Sequence, residues 1–176
     1  MSVTERATYD FLQNIHNSLS QQAQHDELTG LLNRKSFERA LETAYNTAIA
    51  SERRGILGYF ALDRFNVINT TCGHTEGDKL LQEVAEIFRV NVGANATLAR
   101  LGGDEFVVIL PECDEEKSMQ RAKEFKSMLD DPFNIVNTKI VVSASFGVAV
   151  FPNQGEDASS LLSHADSAMY EAKNNS

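Results

Sequence analysis

One short stretch restricts the fold of this 176-residue chain more than any other. Residues 97–101 and 105–110 favour extended backbone, and Gly102-Gly103-Asp104 lies between them. A turn that tight needs residues tolerating positive φ, which two glycines followed by aspartate supply. The spacing predicts an antiparallel strand pair closed at residues 102–104, and the rest of the fold must build a sheet around it.

The flanking segments fill in that sheet. Polar residues with apolar points at Leu12, Ile15 and Leu19 predict a helix over residues 4–24, heptad-like but too short to establish a coiled coil. It is either a surface helix packed on the domain or the tail of a connector. We assign residues 1–24 as an N-terminal connector helix and 25–176 as the domain. A helix over 34–53 carries Phe37, Ala40, Leu41, Ala44 and Ala48 on one face and stops at Gly55. Residues 56–62 form a short apolar run bounded by Gly and Asp, which predicts a buried strand. Asp63 is placed to cap a short helix over 65–70. An amphipathic helix with Leu80, Leu81, Val84, Ala85, Ile87 and Phe88 follows Gly77-Asp78. A helix over 115–129, a strand pair at 133–136 and 140–151, and a helix over 158–174 complete the chain. This order predicts an α+β, ferredoxin-like fold with a mixed, mostly antiparallel central sheet and helices mainly on one face.

Composition narrows the partners. A net charge of −9 and a pI near 4.9 argue against nucleic-acid binding, which needs a basic face. A small polyphosphate remains compatible, because a divalent metal screens it locally. Cys72 and Cys113 have no metal-ligand spacing, and the four histidines form no cluster. No window reaches the roughly 18 apolar residues of a membrane helix. The expectation is a reduced, cytoplasmic domain without membrane contact.

Arg100-Leu101-Gly102-Gly103-Asp104-Glu105-Phe106 resembles the signature hairpin of the GGDEF domain, the diguanylate cyclase family. Three further stretches resemble that family in the same order. They are Asp26-x-Leu28-Thr29-Gly30-Leu31-x-Asn33-Arg34-x-x-Phe37, Phe65-x-x-Ile68-Asn69 with Gly73-His74-x-x-Gly77-Asp78, and Ala165-Asp166-x-Ala168-Met169-Tyr170-x-Ala172-Lys173. The resemblance implies a palm-type core like that of nucleotidyl cyclases. It also implies a homodimer in which each 3′-hydroxyl attacks the α-phosphate of the opposite GTP, giving cyclic di-GMP and pyrophosphate. Mg²⁺ or Mn²⁺ would absorb the developing charge.

Residue by residue, Gly102 and Gly103 would let backbone approach the phosphates, and Asp104 would ligate the metal. Glu105 would belong to the same site, its role inseparable from structural support. Asn69 and Asp78 would recognise guanine, with Phe65 beside them, and Lys173 would touch phosphate as a point charge. Asn69 and Asp78 also suit plain helix-end roles, and Lys173 a solvated one.

Two departures from the family pattern matter. Its metal site uses an aspartate at the end of the first core strand, where this chain has Ala61 in Ala61-Leu62-Asp63-Arg64-Phe65-Asn66. Alanine coordinates nothing. The Leu62 carbonyl still offers an oxygen, and Asp63 is a conceivable rescue. The product-inhibition positions are Gly93 and Ala96, so no such feedback site is expected. The family function is therefore expected alongside an alternative: a degenerate domain that binds GTP and regulates an attached sensor or cyclic di-GMP phosphodiesterase.

Overall fold

A computed structural model describes residues 1–175. Its elements run α1 (Val3–Gln24), α2 (Arg34–Ser51), β1 (Gly55–Leu62), α3 (Phe65–Cys72), α4 (His74–Asn91), β2 (Thr97–Gly102), β3 (Glu105–Leu110), α5 (Glu115–Ser127), β4 (Phe133–Ile135), β5 (Thr138–Ile140), β6 (Ala144–Phe151) and α6 (Ala158–Asn174). Four strands form one sheet in the order β2-β3-β1-β6. Every ladder in it is antiparallel, and among the described residues the one parallel contact beside it is the isolated Leu32–Ala99 bridge. This is the α+β ferredoxin-like arrangement.

β1 holds the centre, and all eight of its residues are buried. It pairs with β3 on one edge and β6 on the other, so its backbone polar groups are used without water. Side chains alternate across the pleat. Ile56, Phe60 and Leu62 enter a core shared with α3, α4 and α5. Leu57, Tyr59 and Ala61 enter a second core beneath α2 and α6. The helices thus cover both faces, where mainly one was expected. Apolar residues at successive positions of β1 demand this, since each face needs its own cover. Phe60 is the hub of the first core, with ring centroids 4.5 Å from Phe88, 5.1 Å from Phe146 and 5.3 Å from Phe106.

Beyond shifts of one or two residues at element ends, three features differ from the sequence reading. The stretch 140–151 is broken: Thr138–Ile140 pairs with Phe133–Ile135 in a separate two-stranded sheet, and only Ala144–Phe151 joins the main one. α4 begins at His74, ahead of Gly77. Arg64, in the left-handed region at φ 54°, is the N-cap residue of α3 and supplies no side-chain cap bond. Asp63 is therefore not the cap.

None of the residues of α1 is buried, so it is not a surface helix packed on the domain. It is joined at its foot, where the Asn33 side chain donates to the Ala23 carbonyl at 2.9 Å and the Asn33 N–H to Gln24 at 3.0 Å. Among the described residues no helix is long and apolar enough to cross a membrane.

The close approach of α6 to β6 places Lys173 relative to the hairpin. A Cβ at Gly147 would lie 2.1 Å from the Ala165 carbonyl oxygen and 2.2 Å from the Met169 nitrogen, both backbone atoms. Helix and strand can touch there only through glycine. Gly147→Ala is expected to destabilise the chain by about 1–3 kcal/mol, the usual cost of overpacking, read as a lower midpoint in urea.

Candidate functional site

The site is built around the turn between β2 and β3. Gly102 has φ 132° and Gly103 φ 51°, and the ladder shifts register between Arg100 and Gly102. Arg100 braces this geometry. Its Nε and Nη2 donate to the Gly103 carbonyl at 3.0 and 2.8 Å, while Nη1 donates to both carboxylate oxygens of Asp26 at 3.0 and 3.1 Å. Asp26 also accepts from the Thr29 N–H at 2.9 Å and hydroxyl at 2.7 Å. Burial pushes the Asp26 carboxyl up, but the bonds from Thr29 and Arg100 outweigh it and hold it below the usual range. The turn is thus tied to the loop that leaves α1.

Asp104 points into a partly buried position, 3.9 Å from the Lys173 ammonium. Burial, with further repulsion from Glu105 and Asp63, raises its carboxyl above the ordinary value despite Lys173. The Leu62 N–H donates to the Asp104 carbonyl at 3.2 Å, which sets the end of β1 beside the turn. Glu105 lies directly across the ladder from Ala61. Its Oε2 accepts from the Tyr59 hydroxyl at 2.7 Å. Burial and this carboxylate both push the Tyr59 phenol well up, so it stays a donor.

Asp63 is held elsewhere. Its Oδ2 accepts from the Ser143 hydroxyl at 2.6 Å and its Oδ1 from Ser145 at 2.7 Å, while its N–H donates to the Ser143 carbonyl at 2.8 Å. The carboxylate therefore stitches the end of β1 to the start of β6.

The positions expected to read guanine lie between α3 and α4. A Cβ at Gly77 would fall 1.8 Å from Asn69 Oδ1 and 3.2 Å from the Phe65 ring, so glycine lets the two helices close. Asn69 Oδ1 is buried without a partner, a state that invites a donor from a ligand or a flipped amide. Phe65 is buried beneath it, and Asp78 is exposed one residue beyond Gly77.

A cavity of about 750 Å³ opens beside α3, lined by Asp63, Arg64, Asn66, Ser143 and Lys173 with an apolar wall that includes Val67 and Val141. The structure thus brings Asp63, Asp104, Glu105 and Lys173 around one end of β1, and Phe65, Asn69 and Asp78 at the α3–α4 junction. Asn69 and Asp78 do not line the cavity.

A divalent cation of the Mg²⁺ type wants carboxylate oxygens in near-octahedral array beside substrate phosphates. Among the described residues no three His, Cys, Asp or Glu side chains are grouped to hold a metal ion. Ala61 offers no ligand atom, and each Asp63 oxygen accepts one serine hydroxyl that fixes its direction. The donor set does not fit the metal.

At Gly93–Ala96 a second cavity of about 470 Å³ includes Arg121, whose guanidinium already donates to the Val92 carbonyl at 2.8 Å and Glu124 at 2.6 Å.

Sequence reasoning assigned no role to Asp26, Tyr59, Arg100, Ser143 or Ser145. Arg100 carried a signal, a charge inside an otherwise apolar strand; the serines carried none.

The Asp26–Arg100 tie has a pH signature. A folded-state value below the unfolded one stabilises at neutral pH and is lost as pH falls through the folded value. Asp26→Asn should be about 1–3 kcal/mol less stable than the native chain at pH 7. The gap should narrow as pH falls to about 3. Urea melts at the two pH values check this.

The comparisons with known proteins accord with this geometry. The family model "Diguanylate cyclase, GGDEF domain" matches residues 23–176. The bifunctional diguanylate cyclase/cyclic di-GMP phosphodiesterase MucR of Pseudomonas aeruginosa is 41% identical over 155 residues, 88% of this chain and 23% of its own length. The chain spans less than half the length of the curated relatives it matches. A sensory box/GGDEF family protein from Caulobacter crescentus superposes with a TM-score of 0.82 at 35% identity, covering 87% of this chain and 99% of that one. The coiled coil and GGDEF domain of DgcB from Caulobacter crescentus, solved with c-di-GMP, gives 0.90 at 26% identity, covering 98% and 92%. With its hairpin, sheet order and ordered motifs in place, the chain belongs to the GGDEF domain family of diguanylate cyclases.

Proposed function

We propose that this domain binds GTP and regulates an attached domain, having lost the metal-dependent condensation of GTP into cyclic di-GMP. One observation carries the reading. Ala61 stands opposite Glu105 with no ligand atom, and the neighbouring Asp63 is bonded through both oxygens to Ser143 and Ser145. The family generally uses a divalent metal, which would polarise the reacting phosphate; nothing on β1 replaces the missing carboxylate for it.

The chain's own residues support recognition without turnover. Gly77 opens room for Asn69, whose amide matches one guanine edge, and Asp78 suits the N1–H and 2-amino donors. Lys173 supplies a cation to phosphate, and the two glycines of the turn leave its backbone open to approach. MucR, a bifunctional protein, indicates the kind of attached partner: a cyclic di-GMP phosphodiesterase, with a sensor as the other candidate. α1, with no buried residue, is the connector in this reading, and the cytoplasm, where GTP resides, is the compartment.

A second reading, a working cyclase in a face-to-face homodimer, is favoured by the retained Gly102-Gly103-Asp104-Glu105 turn and its braces. Cyclic di-GMP formation separates the two, measured at high protein concentration with Mg²⁺ or Mn²⁺ for the native chain and Ala61→Asp. The native chain is expected to make at least about 100-fold less product than the variant, corresponding to several kcal/mol of lost transition-state stabilisation. Equal rates would overturn the regulatory reading.

Stability gives a second check. Ala61 is 2% exposed, so aspartate there buries a charge facing Glu105. Ala61→Asp should melt lower than the native chain without metal and recover part of the loss in Mn²⁺, read by thermal unfolding.

A further inference from the structure

We propose that this domain associates with further copies of itself head to tail, the outer ridge of α5 from one copy seating in the acidic groove between α2 and α6 of the next.

The groove is a cavity of about 520 Å³ between α2 and the start of α6. Leu41, Tyr45 and Leu162 give it an apolar lining, and exposed Glu38, Glu42, Glu156 and Asp157 stand around them. Among the described residues no lysine or arginine lines it. Two of these carboxylates already have partners. Asp157 accepts from the Ser160 N–H at 2.7 Å, and Glu38 lies 3.9 Å from Arg34. Glu42 and Glu156 have no side-chain partner among the described residues, so negative charge is left unmet there. The walls are fixed in advance. The Tyr45 hydroxyl donates to the Gly155 carbonyl at 3.0 Å, and a Cβ at Gly155 would fall 2.9 Å from the Leu161 nitrogen. The loop before α6 is thus held against both helices, and filling the groove costs little further ordering. Ile49, one turn beyond Tyr45 on α2, continues the same face and is 51% exposed.

The complement lies on α5. That helix buries Ser118 and Phe125, which turns Met119, Lys123 and Lys126 outward at spacings of four and three. Met119 is 63% exposed, and neither lysine is ion-paired among the described residues. A flexible apolar side chain followed by two cations matches an apolar groove with two free carboxylates. Glu116 precedes Met119 on the same ridge, so the C-terminal half of α5 is the part that enters. A chain of net charge −9 associates with itself only where opposite charges meet locally in this way.

α5 packs on the first core, and α2 and α6 on the second, so ridge and groove lie on opposite faces of the sheet. One copy cannot close both contacts with a single partner, and association is open-ended. A ridge of three side chains covers far less than the roughly 800 Å² per partner of a stable complex. The dissociation constant is therefore expected on the order of 0.1–1 mM.

Sedimentation equilibrium of the whole chain at rising concentration tests this. The native chain is compared with Lys123→Glu/Lys126→Glu, with Glu42→Lys/Glu156→Lys, and with an equimolar mixture of the two variants. Circular dichroism first confirms that both variants fold. The native weight-average mass should climb past that of a dimer, and each variant alone should associate at least about tenfold more weakly. The mixture should recover native behaviour, because the reversed ridge then meets the reversed groove. A native mass that stops at monomer or dimer overturns the inference. So does growth that both reversals leave intact, and so does a mixture no stronger than its components.

Discussion

The burial of β1 on both edges and both faces is the constraint from which the rest follows. All eight of its residues are hidden, and its C-terminal end delivers Ala61, Leu62 and Asp63 to the turn between β2 and β3. A carboxylate on such a strand is tolerable only with a counter-charge or donors in place. Asp63 satisfies that demand by leaving the pleat and bonding to Ser143 and Ser145. At position 61 an alanine removes the demand altogether.

The hairpin depends on a second set of contacts, on its own side of the sheet. Two consecutive residues at positive φ make a turn with little intrinsic stiffness, since glycine loses the most conformational freedom on folding. Arg100 compensates by holding the Gly103 carbonyl while its remaining nitrogen grips Asp26. Because Asp26 follows directly on the foot of α1, the same guanidinium touches the turn and the junction with that helix. Tyr59 holds the other flank of the turn through Glu105. The turn's position is thus set by β1, β2 and the α1–α2 loop together, with α6 supplying Lys173 across the Gly147 contact.

Much of this was legible in the residues. The β3 and α6 boundaries, the tight turn and the antiparallel hairpin follow from propensity, capping and glycine placement, which are local. Asp157 caps α6 as its chemistry demands, accepting from the Ser160 N–H at 2.7 Å. The ordered motifs pointed to the family, and Ala61 stood out as the missing ligand. Asp63 shows where local reading stops. An aspartate before a short helix reads as a cap, yet two serines about eighty residues away in sequence compete for its oxygens and win.

The sequence by itself determined the family, the hairpin and an alanine at position 61, because residue identity and short-range spacing settle those. Only the tertiary structure decided which donors meet Asp63, Asp104 and Glu105, that helices cover both faces, and that α1 stands clear of the cores. It also decided that Arg64 and Lys173 share a cavity while Asn69 and Asp78 face a different junction. These are relations between segments far apart along the chain, set by strand order and by which backbones can approach without a Cβ between them. No pattern within one segment encodes them.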